Sequence, residues 1–408
     1  MFAWYREFSS RERKTLWACF AGWALDNLDF HILLLVLPSI ITVMGLSKTE
    51  AGMLGSVTLI SSAVGGWMIG AISDRFGRVR TLQLTVIWFA VFTFLCGLAQ
   101  NYPQIVIFRA LQGFGFGGEW GAGAVLVAET IKSQHRGKAM GSLQSAAAVG
   151  WGGAVILFSV IYYAFPPEQA WRILFMMGLL PALLVLFLRR YISEPTHPAT
   201  AKTAKPRFHV TAIFHRDIWR MTLLGMLVAA GGHGAAHAML TWWPTYLHND
   251  RHLSVLTASL YMGVMILGSW SGSMLSAWLQ DHIGRRKTVA FFALFGMVLV
   301  PNVMFLPIPP SLMLLAGYPL GLAIAGIPGC LGALLNELYP ANIRGTGVGF
   351  CYNVSRILAA ILPSLIGFMS DSMQLGYAIG INTFIAYLLA VVAVYFLPET
   401  KGKVLPIS

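Results

Sequence analysis

The chain has 408 residues, of which 57% are hydrophobic and only 11% charged, with a formal net charge of +12. That balance excludes a soluble enzyme or regulator and indicates a polytopic membrane protein, since about 20 apolar residues at 1.5 Å each cross ~30 Å of hydrocarbon. The basic excess is what loops on one side of a membrane carry, so it gives no reason to invoke nucleic acid.

The start, MFAWYREFSSRERK, is charged and runs into a long span with no cleavage-like site, which reads as an uncleaved N-terminus. Twelve spans follow, over 16–44, 52–72, 81–99, 103–130, 137–164, 170–190, 219–247, 254–280, 287–306, 310–337, 345–370 and 374–397. No Asp, Glu, Lys or Arg occurs between Arg220 and Asp250, or between Lys287 and Glu337. The stretch 191–218 is rich in Pro, Thr, Lys and Arg, so it reads as a linker between a six-helix bundle over 1–190 and another over 219–408. Of the 28 Lys and Arg residues, only Lys48, Arg172 and Arg251 fall in loops of one side, and Arg109 and Arg356 lie within spans. All the others lie on the opposite side, which places both termini and the linker in the cytoplasm, in a multi-pass protein of the inner membrane. Cys19, Cys96, Cys330 and Cys351 fall in spans without paired spacing, as packing residues rather than disulfides or metal ligands.

The two halves repeat. GAISDRFGRVR (70–80) is echoed by AWLQDHIGRRK (277–287), which sets Asp74, Gly77 and Arg78 against Asp281, Gly284 and Arg285. Glu129, Arg136 and Gly137 match Glu337, Arg344 and Gly345 at nearly the same offset, and Ser193-Glu194-Pro195 closes the first half as Pro398-Glu399-Thr400 closes the second. Internal repeats of this kind belong to transporters that rock two bundles about a central site.

The Asp-Arg-Phe-Gly-Arg loop, its echo and the six-plus-six layout resemble the major facilitator superfamily. WYREF at the start, LDNLDF in the first span, GGEWGAG in the fourth and GFCYNVSR in the eleventh resemble, within it, the organic-acid:proton symporters of the sialate and aromatic-acid branches. The resemblance implies an all-α fold of twelve transmembrane helices in two bundles related by a pseudo-two-fold axis. It also implies a gating latch formed by Asp74, Arg75, Gly77 and Arg78 with Asp281, Gly284 and Arg285. Glu129 with Arg136, and Glu337 with Arg344, form the other half of that latch, as charge pairs that break and remake during rocking.

Five ionisable groups fall inside spans: Asp26, Asp29, Arg109, Glu119 and Arg356. Each costs at least ~2.5–3.5 kcal/mol on insertion scales, so each must face a cavity or a partner. Counted at 1.5 Å per residue, Asp26, Glu119 and Arg356 all lie ~15–16 Å from the cytoplasmic ends of their spans, near the midplane. Carboxyl groups sharing a low-dielectric cavity can take up and release protons, which suits Asp26 with Glu119, or Asp29 with Glu119 if the first helix is rotated. An arginine keeps its charge and grips a carboxylate bidentately, so Arg356 and Arg109 are candidates for the substrate anion. A permanent Asp29–Arg109 ion pair is the alternative for those two. His233 and His237, four apart on one helix face, line the cavity or pack in its wall; their spacing also fits a metal, but no third ligand is nearby, and no metal is expected. Gln144, Tyr352 and Asn353 are further candidate substrate hydrogen-bonders. The GFGFGGEWGAG run is a small-residue helix-packing surface and not a dinucleotide fingerprint, since no strand precedes it.

These residues predict a secondary transporter, not an enzyme. It would move a small organic carboxylate with protons and no other cofactor, and act in the bilayer as a monomer. The alternative within the fold is a proton-coupled exporter of drugs or metabolites, which two intramembrane arginines would hinder for a cationic cargo.

Overall fold

The computed structural model describes residues 3–46, 48–179, 211–251 and 255–402. The end of the predicted sixth span, most of the predicted linker and the Ser193-Glu194-Pro195 closure lie outside the described residues.

Within them the chain is helical throughout. A one-turn helix at Ala3–Arg6 precedes α1 (Ser10–Met44), α2 (Lys48–Phe76), α3 (Arg78–Leu98), α4 (Tyr102–Thr130), α5 (Arg136–Ala164) and α6 (Pro167–Met176). The second half contributes α7 (Trp219–Thr245), α8 (Val255–His282), α9 (Arg285–Phe305), α10 (Pro310–Leu338), α11 (Arg344–Ser370) and α12 (Leu375–Tyr395). Nine of the described helices are long and apolar enough to cross a membrane. Side chains such as Leu84, Ile156, Leu267 and Leu315 point outward from them and are well exposed, as a lipid-facing belt requires.

Helix ends follow capping chemistry more closely than hydropathy. Span 1 is predicted from residue 16, but α1 starts at Ser10, where Ser9 and Glu12 form a reciprocal capping box. Hydropathy registers only the part of a helix immersed in lipid. The polar first turns protrude and are capped by their own side chains. Gly77 and Gly284, at matching places in the repeat, have φ of 103° and 100° and turn the chain between α2 and α3 and between α8 and α9.

In the first half α2 and α3 pack on α4, and α1 packs on α5; in the second, α8 packs on α10 and α9 on α12. The halves join chiefly through α2 with α11 and α5 with α8. Their seams are built from small residues. A Cβ on Gly66 would meet the Asn353 side chain, one on Gly70 the Gly345 backbone, and one on Gly141 the side chain and backbone of Ala277.

Candidate functional site

At one end of the molecule the repeat motifs interlock. Asp74 accepts hydrogen bonds from the backbone N–H groups of Gly345 (2.9 Å) and Thr346 (2.8 Å), from the Thr346 hydroxyl (2.8 Å), and from Arg78 (2.6 Å). Asp281 does the same to the other half, accepting from the N–H groups of Gly137 (3.0 Å) and Lys138 (2.9 Å) and from Arg285 (3.0 Å). Each aspartate thus satisfies the free N–H groups at the start of a helix in the opposite half and meets the positive end of its dipole.

The glutamates complete the network, with a correction to the predicted pairing. Glu129 is held by Arg344 (2.7 Å) and Arg78 (3.3 Å), and Glu337 by Arg136 (2.9 Å) and Arg285 (2.9 Å). The pairs Glu129–Arg136 and Glu337–Arg344, close in sequence, do not form. Arg136 and Arg344 each turn Nε back onto a carbonyl of the preceding helix, Ala128 and Asn336, which aims the rest of the guanidinium across the interface. Arg75 is also not part of the network: it is exposed and lies over Phe76, 5.3 Å from the ring centroid. A feature that the repeat only hinted at is the Glu399–Thr400 clasp. Glu399 accepts from the N–H groups of Arg285 (2.9 Å) and Arg286 (3.2 Å), and Thr400 donates to Glu337 (2.6 Å).

Deeper in the molecule the intramembrane charges fall into two groups. Asp26 of α1 and Glu119 of α4 are both buried and act on each other electrostatically. Both Asp26 oxygens lack a donor among the described residues. Arg356 of α11 is the nearest cation acting on Asp26. It is 7% exposed and forms no ion pair or hydrogen bond among the described residues. Aromatic faces surround it instead: its guanidinium carbon is 4.8 Å from the Phe116 centroid, 5.9 Å from Phe30 and 6.0 Å from Tyr352. Tyr352 stacks on Trp120 from the other half with centroids 3.4 Å apart, and Trp23 closes the group against Phe116 and Tyr352. Gln144 accepts from Trp120 Nε1 at 3.3 Å.

Asp29 belongs to the second group, inside the first half. It lies 3.8 Å from Arg109 and accepts from Gln112, which also donates to Thr93 (2.9 Å). Arg109 Nε donates to Thr58 at 3.1 Å, and no part of this arginine is exposed. Arg109 is therefore placed among α1, α2 and α4, where its Nη1 and Nη2 have no hydrogen-bond partner among the described residues. Asn353 lies between the two halves. Its amide donates to the carbonyls of Gly117 and Gly349, each at 3.0 Å, which ties α11 to α4. His233 bonds Ser355 (2.9 Å), and half-buried His237 lies in the electrostatic reach of Arg356 and His31. Among the described residues no cluster of three His, Cys, Asp or Glu side chains could hold a metal ion.

The sequence reading missed the aromatic walls, Trp23, Phe30, Phe116 and Trp120. The signal was present, because Trp120 follows Glu119 directly and Phe30 follows Asp29. Aromatic residues are so common in membrane spans that only an arginine without a carboxylate partner singles these out.

Residues 19–272 and 250–407 match the Major Facilitator Superfamily. The chain is 40% identical over 403 residues to a "Probable 4-methylmuconolactone transporter" of Cupriavidus pinatubonensis, covering 98% of this chain and 94% of the relative. It is 29% identical to the "Cis,cis-muconate transport protein" of Acinetobacter baylyi, covering 94% and 93%. Its fold matches the proton:xylose symporter XylE with a TM-score of 0.75 at 21% identity, over 97% of this chain and 98% of that one. With the interlocked repeat motifs and the two halves meeting over a central charged site, these matches establish that the chain is a membrane transporter and belongs to the major facilitator superfamily.

Proposed function

We propose that this transporter moves a small organic carboxylate in symport with protons, by alternating access of one central site. The observation that carries the reading is the state of Arg356, a buried cation walled by aromatic rings and left without a carboxylate beside a carboxyl pair. A guanidinium in that setting favours a bidentate anion strongly, because little water competes for it. Asp26 and Glu119 can share one proton between them, and neutralising that pair changes the charge that Arg356 and its anion face. The names of the relatives, transporters of a muconolactone and of muconate, agree with an organic-acid cargo.

The latched end is the cytoplasmic one, on the distribution of Lys and Arg, and both termini lie there. Between described residues, the hydrogen bonds that join the halves lie at the latch and at mid-depth, which supports a conformation closed to the cytoplasm. A single chain supplies both halves, so a monomer suffices. The test is uptake into proteoliposomes. An acidic exterior should drive accumulation of labelled cis,cis-muconate, and a protonophore should abolish it. Accumulation that follows a sodium gradient and ignores the protonophore would sink proton symport.

A further inference from the structure

His233 lies on α7 next to the aromatic walls and is 6% exposed. Its Nδ1 is 2.9 Å from the Ser355 hydroxyl oxygen. Ser355 donates its single proton to the Tyr352 carbonyl at 2.7 Å. The hydroxyl oxygen can then only accept from the imidazole, so Nδ1 carries the ring hydrogen. A neutral imidazole with hydrogen on Nδ1 has a bare lone pair on Nε2. That Nε2 is buried and has no hydrogen-bond partner among the described residues. A buried acceptor without a donor is costly, and folds rarely leave one without a reason. The ring stands edge-on to Tyr352, centroids 4.6 Å apart at 87°, and Arg356 and His237 are the titratable groups acting on it. Tyr352, which this ring touches, is also one of the rings around the Arg356 guanidinium, so His233 and Arg356 share a neighbour.

We propose that His233 is a specificity residue whose Nε2 accepts a hydrogen bond from an O–H group of the substrate, which is a flat acid lying between the aromatic walls with its carboxylate on Arg356. This rests on the carboxylate-transport reading and adds two demands to it. Flatness follows from the rings of Phe116, Phe30 and Tyr352 around the Arg356 guanidinium, beside which a conjugated or aromatic skeleton can pack. The O–H donor follows from the bare acceptor, and a phenolic hydroxyl or a second carboxyl in its protonated form could supply it. A polyhydroxylated sugar acid fits poorly, because its puckered ring or chain has no flat apolar face to set against these rings.

The test is binding to the purified full-length protein, measured by titration calorimetry with 3- and 4-hydroxybenzoate, benzoate, terephthalate and gluconate. One hydrogen bond predicts that the better hydroxybenzoate binds about tenfold tighter than benzoate. In His233→Phe the two should bind alike, at the affinity of benzoate. His233→Gln keeps an acceptor at that position and should restore part of the preference, so benzoate binding reports folding and the preference reports the acceptor. If terephthalate outbinds benzoate only as pH falls toward its second protonation, a carboxyl O–H is the donor; if only the phenols gain, a hydroxyl is. Equal affinity for benzoate, both hydroxybenzoates and protonated terephthalate in the unaltered protein would overturn the proposal, as would a preference that survives in His233→Phe. Tight gluconate binding would overturn the demand for flatness. These failures leave the carboxylate reading standing. That reading fails separately if none of the acids binds, or if Arg356→Ala binds them as tightly as the unaltered protein.

Discussion

The latch and the central site hold similar side chains in opposite states. At the latch every carboxylate is saturated: Glu337 receives Arg136, Arg285 and Thr400, and Asp74 receives two backbone N–H groups, a hydroxyl and Arg78. At the central site both Asp26 oxygens lack a donor and Arg356 faces rings. The difference teaches where the ligand belongs. Saturated charges hold one arrangement of the halves together, while unsaturated buried charges suit a partner that comes and goes, which on the proposed function is a substrate anion and a proton.

Four substitutions test that contrast, the largest effect first. Arg356→Ala should weaken acid binding by at least about 100-fold, as loss of a buried charge-assisted contact does, without lowering the melting temperature. A clear fall in melting temperature would mean that Arg356 is structural, like the latch arginines. Asp26→Asn should abolish accumulation driven by a proton gradient while leaving exchange of labelled for unlabelled acid across the membrane. If exchange is lost and driven uptake kept, Asp26 is not the coupling carboxyl, and the same assay on Asp29→Asn would then identify the residue that titrates. Glu337→Gln removes the counter-charge of two buried arginines and should cost about 3 kcal/mol or more of stability, read as a lower melting temperature together with slower uptake. The smallest effect is expected from Thr400→Val, which deletes one charge-assisted hydrogen bond worth ~1.5–3 kcal/mol and should slow uptake only mildly. Uptake unchanged in both latch variants would remove the functional side of the contrast.

Much of this was legible in the sequence because charge is rare in the spans. Asp26, Glu119 and Arg356 stood out against an apolar background, and counting along their helices brought them to one depth, where the structure gathers them. The repeat likewise gave the aspartates, glycines and arginines of the latch. Pairing was not legible. Glu129 and Arg136 are seven positions apart, yet the contact forms across the interface, because an arginine at a helix start is covered by the opposite half. The partners of Asn353 and Arg109 were not legible either, since depth along a helix is readable but rotation about its axis depends on neighbouring helices. The aromatic walls were hidden by their abundance.

The glycine seam between α2 and α11 has a mechanical consequence. Gly66 and Gly70 meet Gly349 and Gly345 backbone to backbone at the middle of the line where these two helices touch. Such a line behaves as a bearing. Two smooth backbones can roll or slide by fractions of an ångström without lifting one side chain over another, so movement there meets little internal friction. A single added methyl at Gly66 or Gly349 would act as a grain of grit, leaving the ligand chamber intact and jamming the turning of one half against the other.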